Sequence, residues 1–423
     1  MAFGMGLLAL PLASCLDARE LLAELTERPH DHRGPSHSGG GGSGPTGSGG
    51  AGVGGAPGAG GAGVAMGAGG NASDAGTGGA CAPSAGGASC SVPGCGPSRS
   101  SPDLLPGITL TSVWIGPAGE VWAVGQGGFV GRRAPDSNAW CWCAPNPPTS
   151  LTGVWGLDSD HLFVVGSGGT VLRLDGGHWI RDFATGLDLN AISGTDADNI
   201  WAVGEAGTVI RFNGTSSWES HNADTRYSFG AVWIDPTGVV RLGGSAPITG
   251  GEPGASYNVE SVVLRPAAPA TAGWVVEASF PQRGAAGVHG MSGSSATDAW
   301  AVGVDQPSGA ATGVGLIVHF DGATWSRAGG PDIPSTVHHM SDVAASTPDE
   351  GATWIVGGVR AVRVLGADFT ISPDETLGRT GAIDARGAAM YAVGLDGLVM
   401  RWTASGWVVD RAPTPSPVNA PGP

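Results

Sequence analysis

The hydrophobic and polar positions of this chain repeat between residues 104 and 412 in a unit of about 40 residues. Each unit contains apolar-x-x-apolar, a polar turn, aromatic-Ala-Val-Gly, a glycine turn, Val-apolar-Arg, Asp/Asn-Gly and a late aromatic residue. The copy that begins at Leu189 shows every part, LNAISGTDADNIWAVGEAGTVIRFNGTSSW. Seven copies follow one another, with apolar-glycine pairs at Val124-Gly125, Val165-Gly166, Val203-Gly204, Leu242-Gly243, Val302-Gly303, Val356-Gly357 and Val393-Gly394.

The pattern within each unit predicts four short antiparallel strands. Asn213-Gly214 and Asp321-Gly322 are hairpin signals, because Asn, Asp and Gly tolerate a positive φ. The segment 201–203 is apolar at every position, which predicts a strand buried on both faces. A helical solenoid is excluded, since the units lack a 3.6-residue period. The sequence therefore predicts an all-β fold, a seven-bladed β-propeller of four-stranded antiparallel blades.

The repeats also resemble a known group at specific residues. Asp321-Gly322-Ala323-Thr324-Trp325 is similar to an Asp-box, and the segments 175–179 and 213–218 match more loosely. Over about residues 110–412 the chain resembles the BNR/Asp-box repeat propellers of secreted bacterial proteins and the propeller of photosystem II assembly factors. The resemblance implies a fold and leaves the chemistry open, because the Asp-box stabilises a turn.

The segment before the repeats has a different composition. Residues 34–100 contain 26 Gly and no Leu, Ile, Phe, Trp or Tyr, so they bury too little apolar area to offset the entropy of ordering. We expect a disordered Gly-rich linker over residues 34–103, a short helix within 16–33, the propeller over 104–412 and a disordered Pro-rich tail over 413–423.

The N-terminus resembles that of a bacterial lipoprotein. An apolar run precedes Leu12-Ala13-Ser14-Cys15, which is similar to a lipobox. The resemblance implies a signal peptide over residues 1–15, a lipid on Cys15 and a membrane contact through that lipid alone. No Lys or Arg precedes the run, so a buried cysteine after an apolar helix stays the alternative. We expect an anchored lipoprotein or a secreted protein of the bacterial cell envelope.

The remaining cysteines are candidates for disulfide bonds. Cys141 and Cys143 flank one residue of a predicted strand and therefore lie on the same face. In an oxidising compartment we expect bridges, and a bridge from the linker to either residue would fix the end of the linker to the propeller. A zinc site is the alternative, but the spacing lacks paired C-x-x-C units. The candidates are Cys81, Cys90, Cys95, Cys141 and Cys143.

The charge excludes one class of partner. The chain has 20 basic and 36 acidic residues, and the basic residues are all Arg. Residues 104–423 hold 16 Arg against 29 acidic residues, a net charge of −13. Nucleic-acid binding depends on basic residues that displace counterions, so we expect no nucleic-acid partner.

Several residue patterns could indicate a binding or catalytic site. Third strands carry an Arg at one register (Arg132, Arg173, Arg211, Arg265, Arg363 and Arg401, with His319 in the fifth copy), which favours a structural contact with a neighbouring Trp or acid over a basic ring. Acidic turns lack a complete calcium loop. No catalytic constellation is found, so we expect no catalytic residue, no metal and no cofactor. A secreted carbohydrate-active hydrolase on an Asp-box propeller is the alternative function.

The irregular copies indicate where a ligand binds. Insertions at 244–260 and 304–315 lengthen the loops between the second and third strands of adjacent copies. These loops and the loops between blades share one face, and long loops on a rigid scaffold often carry function. The sector contains the candidate ligand-binding residues Arg226, Tyr227, Tyr257, Arg283, His338 and His339. We therefore expect a non-catalytic scaffold or binding module for a protein or glycan of the cell envelope.

Overall fold

The computed structural model confirms the seven-bladed β-propeller. It describes residues 92–93, 99–100, 107–135, 137–143, 149–215, 217–247, 259–268, 273–281, 286–305, 314–328, 339–345, 347–349, 351–357, 361–365, 370–374 and 377–411. These residues form seven antiparallel sheets and contain no α-helix. Each sheet takes four consecutive strands, as the hairpin signals predict, and the first sheet has a fifth strand.

The strands of the first four blades have the following bounds. Blade 1 contains β1 (Arg99–Ser100), β2 (Leu110–Ile115), β3 (Val121–Gly125), β4 (Val130–Arg133) and β5 (Trp140–Cys143). Blade 2 contains β6 (Leu151–Asp158), β7 (His161–Gly166), β8 (Thr170–Asp175) and β9 (His178–Ala184). Blade 3 contains β10 (Leu189–Gly194), β11 (Ile200–Gly204), β12 (Val209–Phe212) and β13 (Trp218–Ser220). Blade 4 contains β14 (Ser228–Ile234), β15 (Val240–Pro247), β16 (Val259–Pro266) and β17 (Trp274–Pro281).

The remaining three blades complete the ring. Blade 5 contains β18 (Ala286–Ser295), β19 (Asp298–Asp305), β20 (Val314–Phe320) and β21 (Trp325–Arg327). Blade 6 contains β22 (Asp342–Ala344), β23 (Thr353–Val356), β24 (Ala361–Leu365) and β25 (Thr370–Asp374). Blade 7 contains β26 (Thr380–Arg386), β27 (Ala389–Gly394), β28 (Val399–Thr403) and β29 (Gly406–Arg411). We call the face that carries the loops between blades the linker face and the opposite one the turn face.

The fold begins upstream of residue 104, where the composition places the start of the propeller. The strand β1 pairs with β5, with Arg99 opposite Trp142 and Ser100 opposite Cys141. Val92 is buried in the cluster that also contains Trp114 and Trp122. Backbone pairing requires no apolar side chain, so composition alone did not reveal this strand.

Glycine recurs in or just after the second strand, opposite the start of the first strand, because another backbone lies against it. A Cβ at Gly125 would overlap the carbonyl oxygen of Thr109, and a Cβ at Gly204 would overlap that of Asp188. In blade 4 the residue at this register is Gly244, which pairs with Phe229. The sequence assignment of Leu242-Gly243 to this position is therefore wrong by one residue.

Tryptophan on one first strand packs on glycine of the next. The ring of Trp155 lies 2.7 Å from the position of a Cβ at Gly194, and Trp114 lies 3.0 Å from that of Gly156. Where this first-strand position holds a residue smaller than Trp, the matching position of the next blade holds a residue with a side chain in place of glycine. The successive pairs are Trp114/Gly156, Trp155/Gly194, Ser193/Ile234, Trp233/Gly293, Ser292/Ala345, Ala344/Ala385 and Asp384/Ile115.

The arginine register is part of the blade architecture. Arg132 lies over the ring of Trp122 at 5.6 Å, and Arg211 donates to the carbonyl oxygen of Asp198 at 2.8 Å. The other arginines of the register form ion pairs with nearby acids. These pairs are Arg173–Asp175, Arg173–Asp182, Arg265–Glu277, Arg363–Asp349 and Arg401–Asp410. The side chains therefore support the structural interpretation of the repeated Arg.

The two insertions lengthen strands before they form loops. Pairing of β15 with β16 extends to Pro247 opposite Val259, and pairing of β19 with β20 extends to Asp305 opposite Val314. Blades 4 and 5 therefore reach further toward the linker face than blade 3, whose second and third strands pair only as far as Val203.

Candidate functional site

The first strands of the seven blades surround a central cavity of about 600 Å³. This volume lies within the range of small-molecule sites, about 300–1,000 Å³. Because a first strand has a sheet neighbour on one side only, alternate backbone N–H and C=O groups point toward the cavity. Side chains on the next or preceding blade satisfy several of these groups and form the lining.

Polar side chains near the linker face join successive blades. In each case a residue near the start of a first strand donates to a carbonyl oxygen of the next first strand. Such bonds fix the relative heights of neighbouring blades and leave a polar end to the cavity. They run from Thr111 Oγ1 to Leu151 O at 2.6 Å, from Thr152 Oγ1 to Leu189 O at 2.6 Å, and from Asn190 Nδ2 to Phe229 O at 2.8 Å.

Two aspartates lie deeper in the cavity, on the neighbouring blades 6 and 7. Asp342 accepts from the N–H of Ile383 at 3.0 Å and from the N–H of the residue that follows it at 2.9 Å. Asp384 accepts from the N–H of Ile115 at 2.7 Å and from its following N–H at 2.9 Å. Each carboxylate therefore caps an inward N–H of the next blade.

Serine makes the same contact elsewhere in the ring. Ser112 Oγ accepts from the N–H of Val154 at 3.3 Å, and Ser292 Oγ accepts from the N–H of Ala345 at 3.2 Å. Both serines lie at the registers of the two aspartates, in blades 1 and 5. A neutral hydroxyl is thus sufficient for the capping bond.

The pKa values of three lining residues, Asp342, Asp384 and His289, are shifted. Burial raises the pKa of Asp342 to about 7, and the charge of Asp384 adds to this rise. Burial also raises the pKa of Asp384, against which the charge of Arg386 acts. The pKa of His289 falls to about 4, because burial and the neighbouring His339 disfavour its protonated form.

One predicted site residue lies beside the cavity. The ring centroid of His339, in the loop before β22, is 4.8 Å from that of His289 in the lining. His339 has a φ of 33° and an exposed side chain. The linker-face end of the cavity therefore meets the sector that the insertions indicate.

Arg226 and Tyr227 belong to the structure of the loop before β14. Arg226 Nη2 donates to Asp224 at 2.8 Å, and this contact lowers the pKa of Asp224 to about 2. The ring of Tyr227 stacks on Phe229 at 5.9 Å and packs against the core between blades 3 and 4. The structure does not place either side chain in the cavity lining.

Other predicted residues lie outside the part of the chain that the structure describes. They are Cys15, Cys81, Cys90, Cys95, Tyr257, Arg283 and His338. Cys141 and Cys143 are both disulfide-bonded. Burial raises the pKa of the third tyrosine, Tyr391, which packs against Trp140 and Arg133.

The acidic turns stabilise backbone. Asp321 Oδ1 accepts from the N–H groups of Ala323 at 2.9 Å and Thr324 at 2.7 Å, and these bonds lower the pKa of Asp321. Asp158 Oδ1 accepts from two N–H groups of its own turn. Over the described ranges, no group of three or more His, Cys, Asp or Glu residues is arranged to hold a metal ion.

Sequence reasoning missed His289, Asp342, Asp384 and Arg386 as lining residues. A signal for the aspartates was present in the repeat itself. When the first strands are aligned, a charged residue stands in blades 6 and 7 where the other blades have Ser, Gly, Ala or Trp. The repeat pattern is strongest in the second strand, so the register of the first strands is less apparent from the sequence.

Solved structures similar to this chain are propellers of distant sequence. The WD40 propeller domain of Doa1 is 12% identical with a TM-score of 0.52, over 71% of this chain and 94% of its own. Virginiamycin B lyase from Staphylococcus aureus is 9% identical with a TM-score of 0.50, over 70% and 95%. YCF48 from Cyanidioschyzon merolae is 16% identical with a TM-score of 0.47, over 72% and 98%. At these identities the similarity to the first two structures shows the propeller fold alone.

Two further comparisons complete the description. No family model and no curated protein sequence matches this chain. Among the described residues, no helix has the length and apolar character needed to span a membrane.

Proposed function

We propose that this chain is a cell-envelope lipoprotein whose propeller binds a protein ligand without chemical conversion. One observation supports this proposal above the others. The central cavity has a polar, ionisable lining and meets His339 at the face to which blades 4 and 5 extend their strands. A rigid ring that presents loops around a cavity is suited to recognition.

The proposed location rests on the N-terminal sequence. A lipid on Cys15 would anchor the chain, and the Gly-rich segment 34–103 would hold the propeller away from the membrane. Mass spectrometry of the mature N-terminus tests this part. A diacylglyceryl group on Cys15 is expected, and an unmodified Cys15 would remove the anchor from the proposal.

Binding through the cavity can be tested by filling it. Gly381 lines the cavity, and a Cβ at this position would meet no atom within 4 Å. Gly381→Trp should therefore occupy the cavity while the blade folds, and Gly381→Ala is the matched control. Full-length wild type and both variants would be crosslinked in cells, and their covalent partners quantified by mass spectrometry.

A protein partner retained by wild type and Gly381→Ala, but lost from Gly381→Trp, is the expected result. An unchanged set of partners in all three would contradict a role for the cavity. Glycan arrays and a hydrolysis screen separate the other functions. Binding of a glycan alone would replace the protein ligand, and turnover of a glycan would favour the hydrolase.

A further inference from the structure

We propose that the central cavity binds a positively charged group, an ammonium or guanidinium, presented by the protein ligand. This inference rests on the proposed function and names the chemistry of the group that enters. Four ionisable side chains line the cavity, and all belong to the consecutive blades 5, 6 and 7. They are His289, Asp342, Asp384 and Arg386.

The lining contains two carboxyl groups and one guanidinium group. Arg386 provides one positive charge and donates to the carbonyl oxygen of Ile115 at 3.3 Å. His289 is neutral at physiological pH, because its pKa is about 4. Neither aspartate forms an ion pair within 4.0 Å among the described residues. A carboxylate has about four acceptor positions, so the two N–H bonds of each leave capacity for a ligand.

The capping bonds do not explain why these residues are charged. Ser112 and Ser292 cap inward N–H groups at the same two registers with neutral hydroxyls. Burying a carboxylate costs more free energy than burying a hydroxyl. The raised pKa of Asp342 reflects that cost, and a bound cation would lower this pKa.

The net charge of −13 over residues 104–423 favours the approach of a basic partner.

The test compares short peptides that differ in one side chain. Blocked peptides with a central Lys, Arg or norleucine would be titrated into the full-length protein by calorimetry at neutral pH. The Lys or Arg peptide should bind at least about tenfold more tightly than the norleucine peptide. Asp384→Ser keeps a capping hydroxyl and should remove most of this preference, whereas Asp158→Ser removes a carboxylate outside the cavity lining and should preserve it.

Proton release provides a second readout. Titrations of the Lys peptide near pH 6.5, in two buffers of different ionisation enthalpy, should show protons leaving the protein as Asp342 ionises, and Asp342→Asn should reduce the release. The groups that face Asp342 are Asp384, Arg386 and His289, and they remain in that variant.

Two results would overturn the inference. One is equal binding of the norleucine and Lys peptides, and the other is no binding of any peptide at millimolar concentration. Tighter binding of an amino-sugar oligomer than of the peptides would reassign the cation to a glycan. Loss of partners from Gly381→Trp without a charge preference would keep the proposed function and remove this inference alone.

Discussion

The indole Nε1 of Trp140 donates to Asp410 at 2.8 Å and joins the first blade to the seventh across 270 residues of sequence. Asp410 also accepts from Arg401 Nε at 3.0 Å, and its side chain is 6% exposed. The same arrangement of acid, third-strand Arg and next-blade Trp recurs at two other junctions. Those sets are Arg173, Asp182 and Trp218, and Arg265, Glu277 and Trp325.

The closing junction has an inner bond as well as this outer one. Asp384 accepts from the N–H of Ile115 at 2.7 Å at the edge of the cavity. Between the inner and outer bonds, Tyr391 packs edge-on against Trp140 at 6.4 Å. Six junctions also have a peptide connection, whereas among the described residues the seventh is closed by such side-chain contacts and by packing.

Asp410→Ala should therefore destabilise the propeller by about 1–3 kcal/mol, because it removes the ion pair of the buried Arg133 and leaves the indole N–H of Trp140 without its acceptor. Urea unfolding followed by tryptophan fluorescence measures the change. Asp182→Ala removes the matching acid at a junction that the chain already connects, and it should cost less. A cost for Asp410→Ala that is below about 1 kcal/mol, or below that of Asp182→Ala, would contradict the closing role.

The pairing of Trp155 with Gly194 gives a second prediction. Gly194→Ala places a methyl group 2.7 Å from the indole ring and should destabilise the protein by about 1–3 kcal/mol. Trp155→Ser should relieve the overlap. The double variant should therefore lose less free energy of unfolding than the two single variants lose in sum. Gly381→Ala, where nothing lies within 4 Å, should change stability by less than about 0.5 kcal/mol. Additive costs in the double variant would show that the two blades do not interact at this point.

The disulfides of β5 give a third prediction. Cys141 and Cys143 are bridged, and Val92 is buried in the cluster around them. Peptide mapping without reduction should find both joined to cysteines of the segment 81–95. Cys141→Ser or Cys143→Ser should each cost about 2–5 kcal/mol. A bridge to Cys15 would contradict both this mapping and lipidation of Cys15.

Much of the fold could be predicted because the strongest signals are local. Asn213-Gly214 and the recurrent glycine of the second strands reflect backbone constraints within one unit. The number of repeats and the architecture of a blade could therefore be predicted from the sequence. The strand β1 was missed because it adds by backbone pairing to a blade formed later in the chain. Contacts of this kind depend on which chain segments meet in space.

The cavity was harder to predict for a related reason. Its chemistry depends on the alignment of seven first strands, and those strands carry the weakest pattern of the repeat. Asp342 and Asp384 resemble ordinary turn acids in sequence until their register places them beside Ile383 and Ile115. The loop sector was chosen from insertions, and of its predicted residues His339 contacts a lining residue.

The raised pKa of Asp342 predicts a pH dependence of stability with a defined sign. The pKa of Asp342 is about 7 in the folded protein against 3.8 for an unperturbed aspartate. Between these two pH values the folded state therefore holds a proton that the unfolded chain has lost. Its contribution to stability is therefore fully present below about pH 4 and is lost as the pH rises through 7. Asp342→Asn cannot ionise, so the stability of wild type relative to this variant should fall between pH 4 and 8.

The fall should be at most about 4 kcal/mol, since one pKa unit corresponds to about 1.4 kcal/mol. Urea unfolding of both proteins across this range measures it, and the difference between them cancels the titration of His289, which acts in the opposite direction. Ser292→Ala, which removes a neutral cap, should show the pH profile of wild type. If the difference in free energy of unfolding between wild type and Asp342→Asn stays constant from pH 4 to 8, Asp342 is ionised throughout this range. The cost of burial that a ligand cation would offset would then be absent.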